Sequence, residues 1–306
     1  MNISSYLGQY GRQMRVLVLG ASGWFGRTAL DLLFRHGVET CAIGGSSTSL
    51  SSAHGPIRIT PWRDDLVHDF QPDTVLDFSF LTKDKSLSMP LAEFKEANEF
   101  LTSRLLKLAA MPSVRRILYP SSGAAVSAEP QTDLELDKNP YGFLKRQAEA
   151  QLSAFVENSS ETKTLSILRC WSVSGVHVSR PLSYLFSSLV IQALEGDIRI
   201  TSPTNVFRRY VDVSDAISLA LMNFQNSGVS TLETGGDLVE ALELAEMVRA
   251  LVNPSARISV GPNRSDLSDS YFSDGLSWSK AVNLHDFTPI TLETQILNYA
   301  SSISDK

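Results

Sequence analysis

The sequence predicts an α/β protein: a doubly wound, mostly parallel sheet with a smaller, mixed C-terminal domain. Three observations carry this. Short apolar, β-branched runs alternate with helical stretches through the first 170 residues, the pattern of a parallel sheet covered on both faces. A glycine-spaced loop lies between the first such run and the first helix. Beyond residue 170 the segments shorten, with Pro181, Pro203, Pro254, Pro262 and Pro289 as punctuation.

Each element follows from its residues. Residues 15–19, Arg-Val-Leu-Val-Leu, read as a buried strand ending at Gly20,. Residues 27–35 place apolar side chains at 29, 30, 32, 33 and 34, and Gly37 stops that helix,. Strands are expected at 38–43, 56–60, 74–80, 116–119 and 165–170, and helices at 92–110 and 141–157. The serine cluster at 46–52 reads as a loop. In the second half, helices are expected at 182–194, 214–224 and 241–251. The expected division is a dinucleotide-binding domain at 14–170, to which 208–234 returns, and a substrate domain at 171–207 and 235–306. The cleft between them is the default place for a ligand.

Composition narrows the function classes. The chain has 306 residues, a formal charge of −6, 43% hydrophobic and 20% charged residues. That balance suits a globular protein and argues against nucleic-acid binding by bulk electrostatics. No apolar run approaches the ~20 residues that span a bilayer, and residues 1–13 lack a signal-peptide core, so a cytoplasmic protein without membrane contact is expected. Cys41 and Cys170 are too few for a disulfide framework,. His36, His54, His68, His177 and His285 are scattered without zinc spacing, so no metal is expected,.

Gly20-x-x-Gly23-x-x-Gly26 follows a strand and opens a helix. Glycines there let main-chain N–H groups and the positive helix end approach a pyrophosphate without an intervening Cβ. The second strand ends Ala42-Ile43-Gly44-Gly45-Ser46-Ser47, with no carboxylate to accept from an adenosine ribose,. Ser46, Ser47 and Thr48 could instead donate to a 2′-phosphate, so NADP is favoured, with NAD as the alternative. Arg27 is the nearest cation in sequence, either a phosphate contact or a solvated helix residue.

Tyr141-Gly-Phe-Leu-Lys145 places a phenol and an ammonium on one face of a helix, behind Pro140,. A phenol with a pKa of ~10 is a poor base at neutral pH, and an adjacent ammonium lowers that value, toward the range useful for acid–base chemistry. Upstream, Tyr119-Pro-Ser-Ser-Gly-Ala-Ala125 closes a strand and leaves Ser121 and Ser122 at the mouth of the sheet, where ligands bind,.

These motifs together resemble the extended short-chain dehydrogenase/reductase family, in particular its nucleotide-sugar epimerases and reductases, from about Met14 to Leu292. Gly20-Ala-Ser-Gly-Trp-Phe-Gly26 looks like the family's cofactor loop on a Rossmann-like sheet. Asn98-Glu-Phe-Leu-Thr102 with Leu105-Leu106 is similar to its Asn-Val-x-Gly-Thr…Leu-Leu helix, with Leu101 in place of glycine. Ser121-Ser122-Gly123 and Tyr141…Lys145 match its catalytic segments. Leu168-Arg-Cys-Trp-Ser-Val-Ser-Gly175 resembles its Arg-Pro-x-Asn-x-x-Gly segment, and Arg208-Arg-Tyr-Val-Asp-Val-Ser-Asp215 its Arg-Asp-Phe-Val-x-Val-x-Asp signature.

The resemblance implies roles. Tyr141 moves the proton, Lys145 lowers its pKa and holds the nicotinamide ribose, Ser122 bonds the reacting oxygen, and Asn98 supports the active-site helix and a proton path. Gly20, Ser22, Gly23, Trp24, Phe25, Gly26, Ser46, Ser47 and Phe80 would line the cofactor with Tyr141 and Lys145. Ser121, Ser122, Ser172 and Arg208 would face a nucleotide-sugar substrate, Arg208 near its diphosphate. A homodimer through helices 92–110 and 141–157 is also implied. Departures are Ala125-Val-Ser127 in place of Val-Tyr-Gly, Ser172 in place of asparagine, and Phe78-Ser79-Phe80 where small residues usually stand.

Gly123-Ala124 lacks the acidic pair that the family's 4,6-dehydratases carry after the serine. The expected reaction is therefore 4-keto reduction from NADPH, with NAD-dependent C4 epimerisation as the runner-up. A non-catalytic dinucleotide-binding sensor or scaffold is the reading from another class, and the intact Ser122/Tyr141/Lys145 set argues against it.

Overall fold

The computed structural model describes residues 3–50, 55–127, 133–225, 227–261 and 265–304. Ser51, Ser52, His54 and Pro262 lie outside the described residues. In chain order the elements begin with α1 (Ile3–Tyr10), β1 (Arg15–Leu19), α2 (Trp24–Arg35), β2 (Glu39–Ile43), β3 (Thr48–Leu50), β4 (Ile57–Thr60), α3 (Asp64–Phe70) and β5 (Thr74–Asp77). The next are α4 (Lys83–Ser86), α5 (Leu91–Ala109), β6 (Arg116–Ser122), α6 (Gly123–Ser127), α7 (Asp133–Lys138), α8 (Pro140–Glu157) and β7 (Thr164–Cys170).

The remaining elements are β8 (Ser172–Ser174), α9 (Leu185–Glu195), β9 (Ile198–Ile200), β10 (Asn205–Asp212), α10 (Val213–Met222), β11 (Gly228–Glu233) and β12 (Asp237–Glu240). The chain closes with α11 (Ala241–Val252), β13 (Ile258–Val260), β14 (Ser268–Tyr271), α12 (Leu276–His285) and α13 (Leu292–Ser304).

The main sheet has the order β11-β7-β6-β5-β1-β2-β4-β3. Its neighbours are parallel throughout except β3, which returns antiparallel along β4. This is the doubly wound sheet that the alternating pattern predicts. One face packs α2 and α10 through Leu30, Leu33, Ile217 and Leu221 against Val16 and Val18. The other packs α5 and α8 through Leu105, Leu108, Ala148 and Leu152 against Leu17, Leu19 and Val75. Adjacent residues of β1 therefore point into opposite cores, so its unbroken apolar run is required by burial on both faces.

A smaller sheet, β12-β10-β14 with β8 also paired to β10, is backed by α9, α11 and α13. Val190, Tyr210, Leu244, Val248 and Ile296 fill that second core. β10 belongs to the small sheet, α10 directly after it packs on the main sheet, and β11 forms the edge of the main sheet. Ser122 at the end of β6 and Tyr271 at the end of β14 are thereby brought together.

Three local expectations are corrected. The strand expected over 74–80 stops at Asp77, because the Asp77 carboxylate accepts from the Ser79 amide and hydroxyl and turns the chain. The serine cluster is not all loop: Thr48–Leu50 pairs with Ile57–Ile59 as an edge strand. The single helix expected over 182–194 is a short turn at Pro181–Ser183 followed by α9. The polar start of the chain also holds α1, whose Tyr6 and Leu7 are buried in the core that packs α10.

Candidate active site

The glycine loop is built as its spacing requires. Gly20 has φ +67, and a Cβ there would lie 2.3 Å from the Phe78 carbonyl oxygen. A Cβ on Gly26 would lie 2.3 Å from the Gly20 oxygen. Side chains at these two positions would drive the loop, β5 and α2 apart. The first amide bond inside α2 runs from Arg27 to Gly23, so the Trp24, Phe25 and Gly26 amides precede the ladder at the positive end of the helix. That set fits a pyrophosphate. Arg27 turns its Nε back onto the Ser22 carbonyl at 3.0 Å, bracing the loop. Ser46 and Ser47 are exposed in the turn between β2 and β3.

A cavity of about 350 Å³ runs from Gly23, Trp24 and Phe25 to Ser122, Tyr141 and Lys145. Asn139 caps α8, accepting from the Gly142 amide at 3.0 Å. Its side-chain amide donates to the Ala124 carbonyl at 3.3 Å. Gly142 allows this close approach, since a Cβ there would lie 2.3 Å from the Ala124 oxygen. The cap and the glycine together set Tyr141 and Lys145 at the end of β6.

Ser122 is the serine beside the tyrosine, and its side chain acts to lower the phenol's pKa. Ser122 Oγ also accepts from the Ala124 amide and lies 3.2 Å from the Tyr271 hydroxyl. Ser121 lines the same cavity, with its buried hydroxyl lacking a hydrogen-bond partner. Lys145 is 3% exposed. Its Nζ donates to the Pro120 carbonyl at 2.6 Å and sits 4.0 Å from the Phe80 ring centroid and 4.5 Å from that of Tyr119.

The electrostatics depart from the expectation that Lys145 lowers the Tyr141 pKa. Burial raises the phenol above its ordinary value, the neighbouring Tyr271 and Cys170 push the same way, and the Ser122 hydrogen bond opposes them. Burial also pushes Lys145 down to about 7, with Asp77 acting to restore its charge. The reason is physical: both groups are enclosed by aromatic rings, and desolvation disfavours phenolate and ammonium alike.

Other expected residues separate by place. Asn98 is buried, but it does not line the cavity that holds Tyr141. It accepts from the Leu81 amide at 2.8 Å and donates to the Phe94 carbonyl, so it braces the loop after β5. Ser172 and Arg208 line a neighbouring cavity of about 550 Å³, which shares Trp171, Val173 and Tyr184 with the first. Arg208 is held by Asp269, with Nη2 to Oδ2 at 2.9 Å. Phe78 and Phe80 replace small residues with two rings on the cavity wall, and Phe80 lies 6.1 Å from the Tyr141 ring.

The model of the NAD dependent epimerase/dehydratase family matches residues 16–232. The chain belongs to this family. Its α/β architecture is shared with several solved structures. "MoeE5 in complex with UDP-glucose and NAD" aligns at 22% identity and a TM-score of 0.72, covering 95% of this chain and 98% of that one. The UDP-glucose 4-epimerase of Thermus thermophilus, in complex with NAD, aligns at 18% identity and 0.72, covering 95% and 99%. TunA, described as an NAD dependent NDP-hexosamine 5,6-dehydratase, aligns at 15% and 0.73, covering 95% and 98%.

Within this family member the sequence motifs locate Ser122, Tyr141 and Lys145, and further side chains not singled out complete the surroundings of the cavity. Trp171 lies flat over Gly123, where a Cβ would come within 2.4 Å of the indole. It also packs on Tyr271 at 4.9 Å. Tyr184 meets Trp24 edge-on at 5.4 Å. Arg180 pairs with Asp84, joining the loop before α9 to α4 beside the cavity. Cys170 lines it too, and burial pushes that thiol up to about 12. Trp171 and Cys170 sit inside a motif the sequence did expose; Tyr184 falls within the helix expected over 182–194, and Tyr271 comes from an unpatterned segment.

Proposed function

We propose that the chain is an NAD(P)-dependent oxidoreductase acting on a nucleotide-linked sugar, in the direction of 4-keto reduction, with Tyr141 as the proton donor. One observation carries this: Ser122, Tyr141 and Lys145 meet in a cavity that begins at the glycine loop and shares its wall with a second, larger cavity. A bound dinucleotide would supply the hydride; the chain supplies position and the proton. A phenol raised by burial keeps its proton at neutral pH, which suits donation to an oxygen that gains charge. Ser122 would hydrogen-bond that same oxygen, and Lys145 in its charged form would steady the phenolate left behind. The second cavity, with Ser172 and Arg208, is the proposed seat of the nucleotide.

NADP remains the proposed cofactor on the missing carboxylate after β2, although the MoeE5 and Thermus thermophilus complexes contain NAD. Likeness to the Thermus thermophilus 4-epimerase supports the second reading, NAD-dependent C4 epimerisation. We also propose that the main sheet forms the cofactor side, the small sheet the substrate side, and that two copies pair through α5 and α8. A cavity of about 290 Å³ lies between those helices, and Phe100 on α5 is exposed.

The test follows reduced-nicotinamide absorbance with NADPH and a panel of 4-keto nucleotide sugars. Substrate-dependent oxidation that falls by about 10²–10⁴-fold in Tyr141→Phe supports reduction. Interconversion of sugars with no net change in cofactor assigns the epimerase. Cofactor binding with neither outcome overturns the enzymatic reading in favour of a sensor.

A further inference from the structure

Two neighbouring arginines of β10 serve different cavities. Arg208 lines the proposed nucleotide cavity, while Arg209, on the other face of the strand, lines a cavity of about 560 Å³ between the small sheet, α12 and the start of α13,. Asp215 and Trp278 form its buried floor, at 6% and 4% exposure. Asp237, Asn283 and Thr291 are exposed at its rim.

Arg209 is anchored there without being paired. Its Nη1 donates to the Gly236 carbonyl at 2.8 Å, and the guanidinium carbon stands 5.7 Å from the Phe272 ring centroid. Its Nε is buried with no hydrogen-bond partner. Among the described residues the guanidinium has no carboxylate partner. Nε and Nη2 share one edge of the planar group, so the open edge is the fork that suits two oxygens of one oxyanion. Asp215 shows the complementary gap. It accepts from the Ile290 amide at 2.6 Å, its single hydrogen bond among the described residues, and it has no cation partner there. Burial pushes its carboxyl up to about 7, Asp212 adds to the rise, and the Ile290 bond opposes it.

A buried N–H without an acceptor and a buried carboxyl without a cation each cost free energy. A phosphate would satisfy Arg209 alone and would face the charges of Asp215 and Asp237. A metal ion would satisfy the acids and be repelled by the guanidinium. A molecule that carries both a carboxylate and an ammonium answers both gaps, and Trp278, Val282 and Pro289 give its carbon chain an apolar wall. Position 209 holds arginine where the family signature has aspartate, so this pairing of charges belongs to this chain.

We propose that this cavity binds a free amino acid, its carboxylate on the Nε–Nη2 edge of Arg209 and its ammonium on Asp215. The site is distinct from the one that holds Tyr141, and the inference does not rest on the sugar reading above.

The test is titration calorimetry on the full chain with L-alanine, β-alanine and 4-aminobutyrate, whose two charges are spaced differently, beside acetate and inorganic phosphate. Arg209→Gln and Asp215→Asn are measured with the wild type, and melting curves confirm folding. The expected result is that one of the amino acids binds about tenfold or more tighter than acetate or phosphate, and about tenfold weaker in each variant. Where Asp215→Asn does not fold, Arg209→Gln decides, because that guanidinium makes one hydrogen bond and no ion pair among the described residues. Absence of binding by all three amino acids up to about 10 mM overturns the proposal. Acetate or phosphate binding as tightly also overturns it, since the cavity would then read an anion alone. Unchanged affinity in folded Arg209→Gln places the amino acid elsewhere and overturns it too.

Discussion

The Ser122 hydroxyl lies 3.2 Å from the Tyr271 hydroxyl, across the join between the main sheet and the small one. The serine proposed to hold the reacting oxygen is thereby tied to the strand that also pairs with Arg208. Tyr271→Phe removes the hydroxyl and leaves the ring against Trp171. Steady-state kinetics should show kcat reduced several-fold and KM for the sugar raised. The dissociation constant of the cofactor should stay within twofold, because the glycine loop is untouched.

Lys145 carries its proton less readily in the fold, at about 7, than in the unfolded chain near 10.4,. Between these values the unfolded chain binds more protons, so stability falls as pH drops through that window and the penalty is complete below about 7. Lys145→Met fills similar space without a charge. Its melting temperature should exceed that of the wild type at pH 7, with the gap closing toward pH 10.5, while activity is lost. Calorimetric melts across that range check both the sign and the window.

Gly142→Ala puts a methyl 2.3 Å from a backbone oxygen that cannot swing away. The start of α8 must then shift, and Tyr141 and Lys145 with it. A cost of about 1–3 kcal/mol is expected, together with a fall in kcat larger than the stability loss explains. Denaturant midpoints and kinetics on the folded fraction separate the two effects.

Arg169 bridges Glu149 on α8 and Glu233 on β11, at 2.7 and 3.0 Å. Glu149 is 7% exposed on its side chain, so losing the cation leaves it buried and unpaired. Arg169→Gln should destabilise by about 3 kcal/mol, and a second change, Glu149→Gln, should restore part of that. Urea unfolding of the single and double variants tests the coupling.

The sheet was legible in the sequence because burial on both faces writes continuous apolar runs, as in β1 and β7, and because Gly20 and Gly26 have no tolerable substitute. The proposed acid–base pair was legible because α8 fixes Tyr141 and Lys145 one turn apart. Its electrostatics were not: the Lys145 effect depends on how much aromatic surface encloses it, and Phe80 comes from the loop after β5 and Tyr119 from β6. Tyr184 and Tyr271 escaped notice for a related reason. Neither belongs to a quoted motif, and the place of each exists only once the small sheet docks. The N-terminal helix was hidden by composition, since only Tyr6 and Leu7 of its eight residues are buried.

The Arg180–Asp84 pair joins the segment before α9 to α4 beside the candidate cavity, and both partners are partly open to water, at 49% and 35% side-chain exposure. An attraction of that kind weakens as mobile ions shorten its reach to about 8 Å in physiological saline and less in brine. On the proposed function, entry and release of a nucleotide sugar beside this pair should quicken as salt rises, which binding and release rates measured across ionic strength would check.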